Sequence, residues 1–125
     1  MPESRDQMKK TLDLELQGKH YTVALNGSRL SEEFAEAAPF TSSLSESAGS
    51  HYWGAIPHGL STPAELKTSR PQKGSVYYAD HLAAIAVYFG DPGSIAPYVI
   101  YHLGDVLEDL SGLRHAPSRI TVSVS

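Results

Sequence analysis

Six histidines, seven tyrosines and a single tryptophan are the side chains of this 125-residue chain best suited to chemistry. Two of the histidines sit in loop or turn segments, one of them beside an aspartate. His58 lies in a long segment bounded by Pro57 and Gly59, and Asp80-His81 occupies a turn between two apolar runs. A barrel that brings those loops to one rim would give His58, Asp80 and His81 as nitrogen and oxygen ligands, a set suited to Zn²⁺ or Ni²⁺. The spacing lends little support. No histidine pair shows the i, i+4 interval of a helical zinc motif or the H-x-H interval of a strand site. Scattered, separately satisfied imidazoles are the plainer reading, and no cofactor is expected.

A second grouping is aromatic. In His51-Tyr52-Trp53, strand alternation sends Tyr52 to one face and His51 with Trp53 to the other. Tyrosine and tryptophan combine an apolar body with a polar handle, which suits a core, a barrel rim or a pocket. Packing accounts for most of the tyrosines. The predicted cleft for a small molecule or short peptide is His51, Trp53, His58, Tyr78, His81 and Tyr88. Nucleophilic catalysis finds little footing, because there is no G-x-S-x-G turn and Asp80 and His81 are adjacent on extended chain.

The elements that position these residues read mainly as strands. Leu12, Leu14 and Leu16 alternate with polar residues, Gln17-Gly18-Lys19 turns, and Tyr21, Val23 and Leu25 resume the alternation. Ser31–Ala38 is a helix candidate with Ser28 or Ser31 as cap, acidic residues in its first turn and Pro39 as its stop. Strands are predicted over Phe40–Ser47 and His51–Ile56. A long loop follows over His58–Lys73, with a helical turn near Pro63. Gly74–His81 and Ala83–Gly90 form a central hairpin, and Asp91-Pro92-Gly93 is a turn. Leu103, Val106, Leu107 and Leu110 share one face of a second predicted helix, ended by Gly112, and Ser118–Val124 closes the chain as a strand. About eight strands and two short helices imply a closed barrel, since closure removes exposed strand edges.

Composition narrows the partners. Fourteen acidic against ten basic side chains give a net charge of −4, and no basic cluster exceeds Lys9-Lys10, so nucleic acid is not expected. The absence of cysteine excludes disulfides and thiolate chemistry. Residues 1–11 read as a polar lead-in before a single domain over 12–125, without the apolar core of a signal peptide. No membrane span is expected, and a cytoplasmic location is the default.

The order of parts resembles the bacterial and archaeal cyclophilin-like proteins of unknown function. The resemblance rests on Ala38-Pro39-Phe40-Thr41, Ile56-Pro57 followed by Leu60-Ser61, Gly74–Tyr78, Ala83–Phe89, and Leu103-Gly104 with Leu110. It implies a mainly β fold, a closed eight-stranded cyclophilin-like barrel capped by two short helices, with a cleft. True prolyl isomerases of this type place an Arg and a Gln in the strand region after the first helix. Thr41 to Leu66 contains neither, so the isomerase constellation does not carry over. The chain also departs from its relatives at His51-Tyr52-Trp53 and Asp80-His81. A binding module is thus the first reading. The alternative is an enzyme, either a divergent peptidyl-prolyl isomerase or a His-based metal-dependent activity, and a homo-oligomer built on Tyr-rich edges is a third.

Overall fold

The computed structural model describes residues 11–125. The predicted lead-in therefore falls, but for Thr11, outside the described residues, and Thr11 opens the first strand. The chain forms β1 (Thr11–Leu16), β2 (Lys19–Leu25), α1 (Arg29–Ala37), β3 (Phe40–Ser47), β4 (His51–Ala55), β5 (Lys67–Thr68), β6 (Ser75–Ala79), β7 (Ala84–Tyr88), β8 (Ile100–Val106) and β9 (Arg119–Val124). The strands are ordered β2-β1-β9-β3-β4-β7-β6-β8, and β2 pairs with β8 to close eight antiparallel strands into a barrel. The two-residue β5 adds to β8 beyond the point where β2 leaves it.

Alternation fills the interior. Leu12, Leu14 and Leu16 of β1, Tyr21 and Val23 of β2, Leu44 of β3 and Tyr52 of β4 all face one core, joined by Ile120, Val122 and Val124 of β9, which lies between β1 and β3. α1 covers one end with Leu30 and Phe34, both fully buried. Its start is fixed by Ser28, whose hydroxyl accepts the Ser31 N–H at 3.1 Å. Phe34 meets Phe40 edge to face at 5.9 Å, fastening the helix to the first residue of β3.

The segment predicted as a second helix, Leu103–Leu110, is not helical: Leu103–Val106 is the end of β8, and Leu107–Leu110 is a bend and loop in which Leu107 is exposed. Val76 pairs with Gly104 while Tyr77 pairs with His102, which leaves Leu103 as an extra residue in β8. At this bulge Leu103 and Gly104 both turn inward, and Val106 follows into the core. Leu103 and Val106 thus sit three apart on one side, the spacing of a helical stripe produced by a bulged strand. A Cβ on Gly104 would lie 2.5 Å from the Ala24 carbonyl oxygen, so the crowded inward position requires glycine. The second cap comes later, as a 3-10 turn over Ser111–His115 that buries Leu113 next to Leu110. Because β2 and β8 are antiparallel, this turn and α1 lie at opposite ends of the barrel.

Candidate functional site

The outer face of β4, β7, β6 and β8 carries a second apolar layer, separate from the barrel interior. Tyr77, Ala79, Ala86, Tyr88 and Ile100 form it, with Ile95 packed against them. These residues are buried although they point away from the core. Register explains their grouping: Trp53 stands beside Ala86, Ala86 beside Tyr77, and His51 beside Tyr88. Ala79 and Ala84 make the next pair along the hairpin.

Small residues flanked by large ones leave a hollow. Ala79 and Ala86 form the floor of a cleft of about 300 Å³, walled by Trp53, Tyr88, Ile95, Tyr98 and Ile100. Leu82 and His81 overhang it from the turn between β6 and β7, and Ser47 and His51 close the far side. Trp53 is 36% exposed, Leu82 48% and Tyr98 61%, an unusual concentration of large exposed apolar surface around one depression. The loop that brings Ile95 and Tyr98 over the sheet is held by the Ile95 N–H, which donates to the Ser69 carbonyl at 2.7 Å.

The polar groups at the cleft are few and positioned. His51 stacks on Tyr88 with ring centroids 4.4 Å apart and planes inclined by 20°. Burial pushes the His51 imidazole below its usual range, against an opposing pull from Glu46, so it is neutral at pH 7. The Ser50 hydroxyl lies 3.0 Å from its Nδ1. Burial, then the neighbouring Tyr77, pushes the Tyr88 phenol up to about 12, so it stays protonated. His81 stacks on Tyr98 at 5.5 Å, which ties the two loops across the mouth. A neutral imidazole, a protonated phenol and an indole around an apolar floor suit contact with a flat or branched apolar group, with hydrogen bonding at the rim.

Of the six predicted cleft residues, His51, Trp53, His81 and Tyr88 line this depression. Tyr78 does not. It belongs to the barrel core, where its hydroxyl accepts the Leu60 N–H at 3.0 Å, and its neighbour Tyr77 takes the outward position. Both tyrosines are buried, so alternation alone leaves their parity open. His58 is exposed in the loop after β4, its Nδ1 3.3 Å from the adjacent Gly59 carbonyl, and lines no part of the cleft. The predicted ligand set His58, Asp80 and His81 is not assembled. Among the described residues, no three His, Asp or Glu side chains are grouped to share a cation. Asp80 and His81 are 4.0 Å apart and partly exposed.

Sequence reading missed Ala79, Leu82, Ala86, Ile95, Tyr98 and Ile100. The alanines offered a signal: three of the four residues Ala83-Ala84-Ile85-Ala86 are small within a strand-forming run. The walls from 95–100 depend on a long-range loop contact that no local pattern encodes.

A closed eight-stranded antiparallel barrel with one further short strand and a single α-helix defines the class. The model of the Cyclophilin-like family matches residues 14–125, and the chain belongs to that family. It is similar in structure to a hypothetical protein from Archaeoglobus fulgidus determined in solution, with a TM-score of 0.72 at 17% identity, covering 94% of this chain and 95% of that one. That likeness speaks for the fold alone. No curated protein matches the chain. No helix among the described residues is long and apolar enough to cross a membrane.

Proposed function

We infer that this protein is a binding module whose outer-wall cleft takes a small molecule or the side chain of a short peptide. The observation that carries the reading is the alanine floor. Ala79 and Ala86 sit at the centre of an aromatic face, where larger residues would fill the space flush. Leaving Trp53, Leu82 and Tyr98 exposed around that hollow costs hydrophobic burial that a bound apolar group would recover, on the order of 25 cal/mol per Å² covered. The cleft volume, about 300 Å³, is at the lower end of the range for small-molecule sites, which favours a compact ligand or one side chain of a larger one.

The chain contains a single tryptophan, and it lines the cleft, so its fluorescence reports occupancy directly. A library of aromatic and branched-aliphatic fragments is expected to shift or quench Trp53 emission. Ala86→Ile, which fills the floor, is expected to weaken those hits at least fivefold while leaving the fold intact. Hits of equal affinity on the wild type and on Ala86→Ile would place binding elsewhere.

A further inference from the structure

Three buried tyrosines have their hydroxyls tied to the backbone. Tyr52 donates to the Pro117 carbonyl, while Tyr77 accepts the Gln72 N–H and Tyr78 the Leu60 N–H, each at 3.0 Å. Tyr88 is as deeply placed, only 3% exposed, yet its hydroxyl has no hydrogen-bond partner among the described residues. A phenol so placed has given up most of its water without a replacement, which is costly unless something else supplies the bond. Tyr21 and Tyr101, the other buried tyrosines, line no part of the cleft.

The Tyr88 ring is held in place. His51 stacks on it at 4.4 Å and Tyr77 meets it edge to face at 5.5 Å, so the hydroxyl is not free to swing toward another partner. Among the described residues, no buried side-chain oxygen or nitrogen is both shut off from solvent and unpartnered. The Tyr88 hydroxyl therefore keeps a narrow opening. Tyr88 lines the cleft and neither of two other hollows, one beside Lys67 and one beneath Arg114, so that opening gives onto the cleft. Burial and the neighbouring Tyr77 hold the phenol proton in place, and the group presented is a donor. The Trp53 indole, on the adjoining strand, can also only donate.

No Lys, Arg, Asp or Glu lines the cleft. Glu46, whose charge acts on His51, is taken by the Gly49 N–H at 2.6 Å. The Asp80 carboxylate stands at the mouth, 4.0 Å from His81 Nδ1 and well exposed to water. An ionised ligand would surrender its hydration to a floor that offers no counter-charge.

We propose that Tyr88 is the specificity-determining residue of the cleft and that its ligand is an uncharged carbonyl compound, with a ring or branched group on the Ala79–Ala86 floor and its oxygen accepting the Tyr88 hydroxyl. This rests on the cleft reading and narrows its ligand class. Ala86 and Tyr88 are two residues apart on β7, about 6.6 Å, the scale of one ring bearing one substituent.

The test compares toluene, acetophenone, benzoate and benzamidinium on the ¹⁵N-labelled full chain, with dissociation constants read from the Trp53 indole N–H and the Ala86 amide. Acetophenone is expected to bind roughly tenfold or more tightly than either ion, which keeps its shape and adds a charge. Tyr88→Phe keeps the ring, its stack and its edge contact. It is expected to weaken acetophenone about three- to tenfold and to leave toluene unchanged. Free Tyr88→Phe is expected to melt at or above the wild-type temperature, whereas Tyr78→Phe, which strands the Leu60 N–H, is expected to melt about 4 °C lower. Acetophenone unaffected by Tyr88→Phe, or matched by either ion, would overturn the inference, and toluene still moving Trp53 and Ala86 would leave the cleft reading standing. A lowered melting temperature for Tyr88→Phe would show the hydroxyl to be bonded within the protein and overturn it as well. Silence of Trp53 and Ala86 with all four compounds would overturn the two readings together.

Discussion

Gly54 follows Trp53 on β4 and points inward, opposite Ile85. A Cβ added there would lie 2.3 Å from the Ser43 carbonyl oxygen and 2.5 Å from Leu44 Cδ2. The Leu44 methyl can rotate away, but the Ser43 carbonyl belongs to β3, which is fixed along its other edge by pairing with β9 from Phe40 to Ser45. Reaching ordinary contact requires β3 and β4 to separate by roughly 1 Å. Overpacking of this kind costs about 1–3 kcal/mol, and a backbone obstacle puts Gly54→Ala at about 3 kcal/mol. For a domain of this size that is a fall in Tm on the order of 10 °C. Gly112→Ala is the control, since nothing lies within 4 Å of its added Cβ and its φ is not positive, so its Tm is expected to stay near the wild type. The melt is followed by far-UV circular dichroism, with Trp53 emission recorded in parallel because the shift of β4 carries the indole with it. A Gly54→Ala melting temperature within about 2 °C of the wild type would refute the β3–β4 packing described above.

Two further outcomes follow from the site and its surroundings. Tyr88→Leu removes the stack on His51 and the edge contact with Tyr77, at about 0.5–1.5 kcal/mol each, for a loss of about 1–3 kcal/mol in denaturant unfolding. It also uncovers His51. In the wild type, burial holds that imidazole below 6.5, so the unfolded chain binds its proton first and His51's contribution to stability is present above about pH 6.5 and lost as pH falls. Direct NMR titration of the ring is the correct readout, because His20, raised by its hydrogen bond to Asp13, acts with the opposite sign. In Tyr88→Leu the His51 titration is expected to move back up toward 6.5, and an unchanged midpoint would refute the burial argument. Glu33, lowered chiefly by its hydrogen bonds from Ser61, ties the loop after β4 to α1 through the Ser61 hydroxyl at 2.6 Å and N–H at 2.7 Å. Glu33→Gln is expected to lower the protection factor of the Ser61 amide at neutral pH; an unchanged protection factor would show the tether to be idle.

Much of the barrel was legible because its strands obey a period of two. Leu12–Leu16, Tyr21–Leu25 and Ile120–Val124 each place alternate residues in the core, as their patterns implied. α1 was legible from Ser28 and Pro39, which bracket Leu30 and Phe34. The errors arose where a local pattern has two physical causes. A bulge at Leu103 put inward residues three apart, and that is also the signature of a helix. In β6 every residue is buried, because the outer face carries its own apolar layer, so Tyr77 and Tyr78 could not be assigned faces by polarity. His51, Trp53, His81 and Tyr88 line the depression because strand alternation turns His51, Trp53 and Tyr88 to the outer face and the β6–β7 turn carries His81. The alanine floor and the 95–100 wall were not legible, since a cavity is defined by what surrounds a small residue rather than by the residue itself.

The most direct test of the cleft is chemical-shift mapping of a fragment hit on ¹⁵N-labelled protein. Occupancy is expected to move the amides of His51, Trp53, Ala79, Leu82, Ala86 and Tyr98 together with the Trp53 indole N–H, and to leave the opposite wall of β1 and β9 unmoved. Shifts centred on β1, β9 or α1, with Trp53 and Ala86 silent, would contradict it.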